Sequence, residues 1–120
     1  MRYRTRYITL VGFKNLSGTK VFDIGTITKL IKEPTNKFDS EAIYAEVRHV
    51  GKAAYVANSV YTVVKGTMSA GRLYDKFNEV TFAEIRFIKD DVIIAKLISE
   101  KRINKLKKDP ESDIYYLIGD

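Results

Sequence analysis

Alternating apolar and polar positions predict short β-strands along most of the first hundred residues. In residues 42–48 every second side chain is apolar, so a strand there would bury one face and present the other to water. Residues 7–13 and 21–33 are rich in β-branched and aromatic side chains, and turn-forming residues lie between them. The buried set in residues 42–48 would be Ile43, Ala45 and Val47.

The most distinctive pattern lies in residues 80–98, where two apolar runs flank the acidic pair Asp90 and Asp91. Adjacent acids between two apolar runs are typical of a turn, so this segment predicts a β-hairpin. A further strand is predicted over residues 53–56, after a turn at Gly51 and Lys52. The inward side chains of the first hairpin strand would be Ala83, Ile85 and Phe87.

Helical signals are weaker than strand signals. Asn58 or Ser59 is a suitable cap for a helix that would continue to Val64, although the β-branched residues of this run have low helix propensity. Residues 65–71 contain two glycines and predict a loop, and residues 72–77 predict a short turn of helix.

These elements predict a mainly β (α+β) fold in a single domain. Five or six short strands with one or two small helices favour a curled antiparallel sheet, which at 120 residues usually closes into a small barrel. An OB-like or SH3-like antiparallel barrel is the expected architecture.

The composition changes after residue 98, since five of the eight residues 101–108 are Lys or Arg. We therefore divide the chain into a barrel domain at residues 1–98 and a basic C-terminal tail or extension at 99–120. Residues 114–118 are apolar enough to pack back on the barrel or to contact another chain, and the pattern is compatible with both.

A formal net charge of +6 and an isoelectric point near 9.5 indicate a polyanionic partner, most commonly nucleic acid. The chain has no cysteine, which excludes disulfides and thiolate metal sites and fits a reducing, cytoplasmic location. No apolar run is long enough to predict a membrane span, so we expect no membrane partner.

The loop predicted between residues 33 and 43 carries the most informative polar residues. An exposed Phe38 would stack on a nucleic-acid base, and Asp39 would accept a hydrogen bond from a sugar hydroxyl. In the alternative interpretation, Pro34 and Asn36 form a turn, Phe38 enters the core and Asp39 caps the following backbone.

Three separated blocks resemble the HIRAN domain family in order and spacing. In that family a strand ends in an acid followed by Pro, then Asn-x-aromatic-Asp, then Ala-Ile. An opening strand and loop resemble residues 10–18, and a later glycine and strand resemble residues 51–58, so the similarity covers roughly residues 6–98. The signature residues here are Glu33, Pro34, Asn36, Phe38, Asp39, Ala42 and Ile43.

The resemblance implies a DNA-binding module that recognises single-stranded DNA or free 3′ ends in repair or replication. Such domains are similar to OB folds and often accompany a helicase-like translocase, which would be a further partner. By resemblance, Asp39 would accept the terminal 3′ hydroxyl, Phe38 would stack on the terminal base and Asn36 would shape the loop. Tyr55 and Asn58 would be additional contacts.

Basic residues near this loop would contact the DNA backbone, and the candidates are Lys14, Lys37 and Arg72. The tail cations would either add electrostatic affinity or form a solvated helix face. These tail residues are Lys101, Arg102, Lys105, Lys107 and Lys108.

We expect no catalytic activity, cofactor or bound metal in this chain. Its single histidine, His49, cannot form a histidine metal cluster, and no phosphate-binding glycine loop is present. The enzyme alternative is a metal-dependent nuclease using Asp39 or Glu41 with Glu84 and Arg86. The non-enzymatic alternative is a protein-interaction or oligomerisation module that uses Tyr115, Tyr116 and Ile118.

Overall fold

A computed structural model describes residues 6–118 of the chain. Six β-strands and three short α-helices make up this part. The strands are β1 Tyr7–Val11, β2 Ile27–Lys32, β3 Ile43–Val47, β4 Gly51–Val56, β5 Val80–Lys89 and β6 Val92–Leu97. The helices are α1 Ala70–Tyr74, α2 Glu100–Leu106 and α3 Asp113–Leu117, and short 3₁₀ helices lie at Phe13–Asn15 and Thr19–Val21.

The six strands form one closed barrel in the order β1-β4-β3-β2-β5-β6. Every neighbouring pair is antiparallel, including the β1–β6 pair that closes the barrel. Closure leaves no strand of the barrel with an unpaired edge, which removes a template for aggregation. The predicted mainly β, antiparallel barrel is therefore confirmed.

The barrel interior is filled by the alternating apolar side chains of the strands. Ile43, Ala45 and Val47 of β3 are buried, as the sequence predicts, while the side chains between them are half-buried on the outer face. Leu30 of β2 and Ile93 of β6 belong to the same cluster, so the core lies inside the barrel.

The predicted hairpin is confirmed as β5 and β6, with Asp90 in its turn at a φ of 51°. One detail of the prediction is wrong, because Phe87 is exposed instead of facing inward. The pairing register shifts between Ile85 and Phe87, and the bulge reverses the alternation of inward and outward side chains beyond it.

No helix forms in residues 58–64, so that prediction is wrong. Residues 59–63 form turns in which the backbone carbonyl of Ser59 accepts hydrogen bonds from Thr62 and Val63. The low helix propensity of β-branched residues is decisive here. The helix predicted over residues 72–77 instead spans Ala70–Tyr74 and is capped by Ser69, whose Oγ accepts the Arg72 N–H.

The first two strands are shorter than predicted. β1 ends at Val11, before Gly12, whose φ of 78° lies in the left-handed region that interrupts an extended strand. The predicted strand over residues 21–33 begins only at Ile27, because a turn closed by the Thr26 N–H and the Asp23 carbonyl precedes it.

The segment after Ile98 folds back on the outside of the barrel. Ile114 and Leu117 of α3 are buried in a second cluster with Phe82 and Ile98. The Nζ of Lys29, a buried residue of β2, donates a 2.8 Å hydrogen bond to the carbonyl of Leu117. Residues 114–118 were predicted either to pack on the barrel or to contact another chain. Ile114 and Leu117 pack on the barrel.

The described helices are all short, and α2, with seven residues, is the longest of them. No helix within residues 6–118 is long and apolar enough to cross a membrane.

Candidate nucleic-acid interface

The loop between β2 and β3 is shaped by Asn36. Its Oδ1 accepts hydrogen bonds from the backbone N–H groups of Phe38 and Asp39 at 2.9 and 3.0 Å. A short polar side chain that bonds to the following backbone is typical of an Asx turn. Backbone bonds from Glu33 to Ala42 and from Ala42 to Asp39 close the base of the loop.

This Asx turn places the side chain of Phe38 in solvent, where it is 96% exposed. Burial of a phenylalanine side chain stabilises a folded chain by roughly 1.5–3 kcal/mol, and this ring contributes almost none of that. The alternative in which Phe38 enters the core is therefore wrong. The ring offers both faces to a binding partner.

Asp39 lies next to Phe38 and is held by two donors. Its Oδ1 accepts the backbone N–H of Glu41 at 2.9 Å, as expected for a residue that caps the following backbone. Its Oδ2 accepts the side-chain amide of Asn58 at 2.9 Å. The carboxylate is thus fixed in orientation while it remains half-buried at the surface.

Asn58 connects this loop to α1. Its Oδ1 accepts the backbone N–H of Gly71 at 2.8 Å, while its amide donates to Asp39. Gly71 leaves room for this approach, since a Cβ there would lie 2.7 Å from Oε1 of the exposed Glu41 side chain and 3.2 Å from Oδ1 of Asn58. The site therefore joins three segments that are distant in sequence.

A second polar cluster centres on Glu33, at the start of the loop. Its Oε1 accepts from the Asn36 amide at 2.8 Å and from the Tyr55 hydroxyl at 2.9 Å. Its Oε2 forms a 2.7 Å ion pair with Lys52, whose Nζ also lies 4.6 Å from the centre of the Tyr44 ring. This cluster fixes the loop against β3 and β4.

The charges of this cluster are mutually supporting. Burial raises the pKa of Glu33, but hydrogen bonds from Lys52, Asn36 and Tyr55 outweigh it and hold that pKa below the ordinary 4.5. The bond to Glu33 likewise raises the pKa of Lys52 above its ordinary 10.5. Burial raises the pKa of Tyr44 above 10.0. Glu33 and Lys52 are therefore charged at neutral pH.

The structure brings four of the predicted site residues into one hydrogen-bonded arrangement, and it connects a fifth. Asn36, Phe38, Asp39 and Asn58 are linked directly through side-chain or backbone bonds. Tyr55 joins them through Glu33, to which its hydroxyl donates. The Tyr55 ring also lies close to Gly12, since a Cβ added to that glycine would be 3.6 Å from the ring. The Tyr55 hydroxyl is already used by its contact with Glu33.

The three cationic residues that were predicted to contact the DNA backbone differ in their surroundings. Lys37 is exposed beside Phe38. Arg72 is exposed on α1 and directly follows Gly71. Lys14 forms a 2.8 Å ion pair with Asp91 at the turn of the β5–β6 hairpin, so its charge is partly neutralised there.

Two exposed apolar residues near Asn58 were missed by the sequence analysis. Val60 and Tyr61 are 87% and 93% exposed, on the turn that begins at Ser59. The Oγ of Ser59 accepts the backbone N–H of Tyr61 and supports this turn. The helical spacing of the apolar residues in this run predicts a helix, and the low helix propensity of its β-branched residues is the signal against one.

Two of the residues of the nuclease alternative, Glu84 and Arg86, pair with each other, and Glu84 also pairs with Arg102. Glu84 lies 3.0 Å from Arg102 and 3.6 Å from Arg86, whereas Glu41 lies close to Gly71. Within residues 6–118, no three His, Asp or Glu side chains are arranged so that they could hold a metal ion.

Comparison with known protein families, curated proteins and solved structures finds no match. No protein-family model matches the chain, and no curated protein or solved structure is significantly similar to it. The HIRAN resemblance therefore remains a prediction that rests on the three sequence blocks.

Proposed function

We propose that this protein is a DNA-binding module that recognises single-stranded DNA or free 3′ ends. The observation that carries the proposal is the pairing of a fixed carboxylate with a free aromatic ring: Asp39 is held by Asn58 and the Glu41 N–H, and its neighbour Phe38 is 96% exposed. The basic net charge of +6 supports a polyanionic partner.

The Asp39 carboxylate has capacity for further donors. A carboxylate offers about four lone-pair positions, and the contacts with Glu41 and Asn58 occupy two of them. A sugar hydroxyl that donates to a third position makes a charge-assisted hydrogen bond. Since the carboxylate is already oriented, this bond requires little ordering of the protein.

Stacking would supply the remaining affinity at the strand end. A base that lies on the ring of Phe38 gains about 1–3 kcal/mol, independently of its identity. Tyr61 offers a second exposed ring on the turn after Asn58, and the Asp39–Asn58 bond joins the two loops. Two aromatic faces on connected loops fit unpaired bases better than a paired duplex, whose bases are already stacked.

The pathway and partners follow from the family resemblance. A module that captures DNA ends or single strands would serve repair or replication in the cytoplasm, and a helicase-like translocase is the proposed partner. The module itself needs no cofactor and no catalytic group for this role.

The test is fluorescence anisotropy with single-stranded DNA that has a free 3′ hydroxyl, a 3′ phosphate or a circular backbone. We expect tightest binding to the free hydroxyl. Asp39→Ala should lose this preference and retain most of the salt-sensitive binding, while Phe38→Ala should weaken binding to all three DNAs. Glu111→Ala, which removes an exposed acid of the tail, is the control.

Equal binding of the Asp39→Ala variant and the wild type to every DNA would show that the site is assigned wrongly. Equal affinity of the wild-type protein for all three DNAs would leave single-strand binding without end recognition. If no DNA binds at moderate salt, the proposal is wrong.

The second candidate function is a protein-interaction or oligomerisation module. The observation in its favour is the exposure of Tyr115, Tyr116 and Ile118 on and after α3. The guanidinium of Arg48 lies 3.5 Å from the centre of the Tyr116 ring and covers one face of it. A DNA-blind protein whose mass by light scattering rises with concentration, and whose Tyr115→Ala variant stays monomeric, would support this candidate.

A further inference from the structure

A groove of about 490 Å³ begins next to the candidate site and is lined by three cationic residues. Arg6 precedes β1, Arg72 lies on α1, and Lys76 follows that helix. The volume falls in the range of sites that bind small organic ligands. The described lining of the groove includes no Asp or Glu.

The three cations are free of ion pairs with the part of the chain that the structure describes. Among the ion pairs of residues 6–118, none includes Arg6, Arg72 or Lys76. Like charges around one groove repel each other, and solvent screens this repulsion because all three side chains are exposed. An anion in the groove would replace that repulsion with attraction.

The groove and the candidate site share helix α1. This helix contributes Arg72 to the groove lining, and the preceding residue, Gly71, donates its N–H to Asn58 at 2.8 Å, while Asn58 donates to Asp39 at 2.9 Å. A polymer whose end lies at Asp39 would therefore have to pass Asn58 and α1 to reach the cations.

We infer that this groove binds the backbone phosphates of the same DNA strand whose end lies at Asp39. The inference rests on the proposed function and adds a path and a direction to it. The terminal nucleotide contacts Asp39 and Phe38, and the preceding phosphates lie between Arg6, Arg72 and Lys76. Arg6 and Lys76 thereby become nucleic-acid contacts that the three sequence blocks resembling the HIRAN family do not indicate.

The test compares two oligonucleotides with the same free 3′ end, one of about two nucleotides and one of about eight, a length within the usual range for one small barrel. The double variant Arg6→Gln/Lys76→Gln leaves the residues at the strand end unchanged. We expect it to weaken binding of the long oligonucleotide, and to reduce the slope of log affinity against log salt by about 1.4, at about 0.7 per phosphate contact. Binding of the short oligonucleotide should change little.

The control is Lys20→Gln/Lys89→Gln, which removes the same charge from exposed positions outside the groove lining. Suppose that both double variants lose the same amount of the slope of log affinity against log salt, and that the wild type binds the short oligonucleotide. The proposal that the groove binds phosphates would then be wrong, while the strand-end site would stand. Failure of the wild type to bind either oligonucleotide would overturn the groove and the proposed function together.

Discussion

The side chain of Asn58 bonds to Asp39 through its amide nitrogen and to Gly71 through its amide oxygen, at 2.9 and 2.8 Å. The residue thus connects the β2–β3 loop with α1. Replacement by Ala would leave the Gly71 N–H and one Asp39 oxygen without their partners. Asp39 and Gly71 are only half-buried, so water can replace part of the lost bonding, and Asn58→Ala should lower the free energy of unfolding by about 1 kcal/mol, the low end of the cost of an unmet buried polar group.

Urea unfolding monitored by circular dichroism measures this difference. Asn78→Ala is the matched control, because Asn78 is exposed in the turn before β5 and should change the free energy by less than about 0.5 kcal/mol. A similar effect of the two substitutions would show that the Asn58 bonds do not hold the loops together.

The close approach at Gly71 gives a second prediction. Gly71→Ala should destabilise the protein only modestly, because Oε1 of Glu41, 2.7 Å from the added Cβ, is the end of an exposed side chain that can turn away, whereas Oδ1 of Asn58, at 3.2 Å, is held by its hydrogen bond to Gly71. The cost should be comparable to the gain in helix propensity, which is at most about 1 kcal/mol. The comparison uses thermal unfolding of the single variant and of Gly71→Ala/Glu41→Ala.

Removing the Glu41 side chain eliminates the nearer of the two contacts. The substitution at Gly71 should therefore cost less in the Glu41→Ala background than in the wild type, and the coupling appears in a double-mutant cycle. If the two changes are additive, the Glu41 contact carries no energy.

The Glu33 cluster predicts a dependence of stability on pH. Because the folded-state pKa of Glu33 lies below its ordinary value of 4.5, the folded state favours the charged carboxylate. This contribution is complete above the ordinary pKa and is lost as the pH falls through the lower folded-state value. Glu33→Gln should therefore reduce the loss of stability between about pH 5.5 and pH 3.

Unfolding midpoints in urea across this pH range measure the effect. The control is Glu79→Gln, which removes an exposed carboxylate before β5. In this variant the change of the unfolding midpoint with pH should be the same as in the wild type. The Lys52 ammonium has the opposite sign, since its raised pKa makes its contribution present at neutral pH and lost in strong base. Equal slopes for Glu33→Gln and the wild type would contradict the cluster.

The alternation of side chains predicts the strands, and the number of strands in a chain of 120 residues predicts the barrel. The burial of Ile43 and Ala45 follows from local periodicity, which is readable along one strand. The exposure of Phe87 does not, because the bulge after Ile85 depends on pairing with β6 across the sheet. Strand identity was thus predictable, but the face of a residue beyond a bulge was not.

The site was predictable in part for a similar reason. The Asx turn at Asn36 involves residues within three positions of each other, so its chemistry is visible in the sequence. The bond from Asn58 to Gly71 and the cluster of Arg6 with Lys76 join distant segments. Such contacts exist only once the barrel has closed, and single-sequence patterns do not indicate them.

The packing of α3 gives the last prediction. Ile114 is fully buried against Phe82 and Ile98, whereas Ile118, one turn later, is exposed. Loss of a buried isoleucine side chain costs about 2–5 kcal/mol, so Ile114→Ala should destabilise the protein strongly and Ile118→Ala should do so only slightly.

Urea unfolding followed by two probes, circular dichroism and tyrosine fluorescence, measures both variants. A barrel that unfolds with unchanged midpoint in Ile114→Ala would mean that the packing of α3 contributes nothing to its stability. A large shift, with the two probes coincident, would show that the tail and the barrel unfold as one cooperative unit.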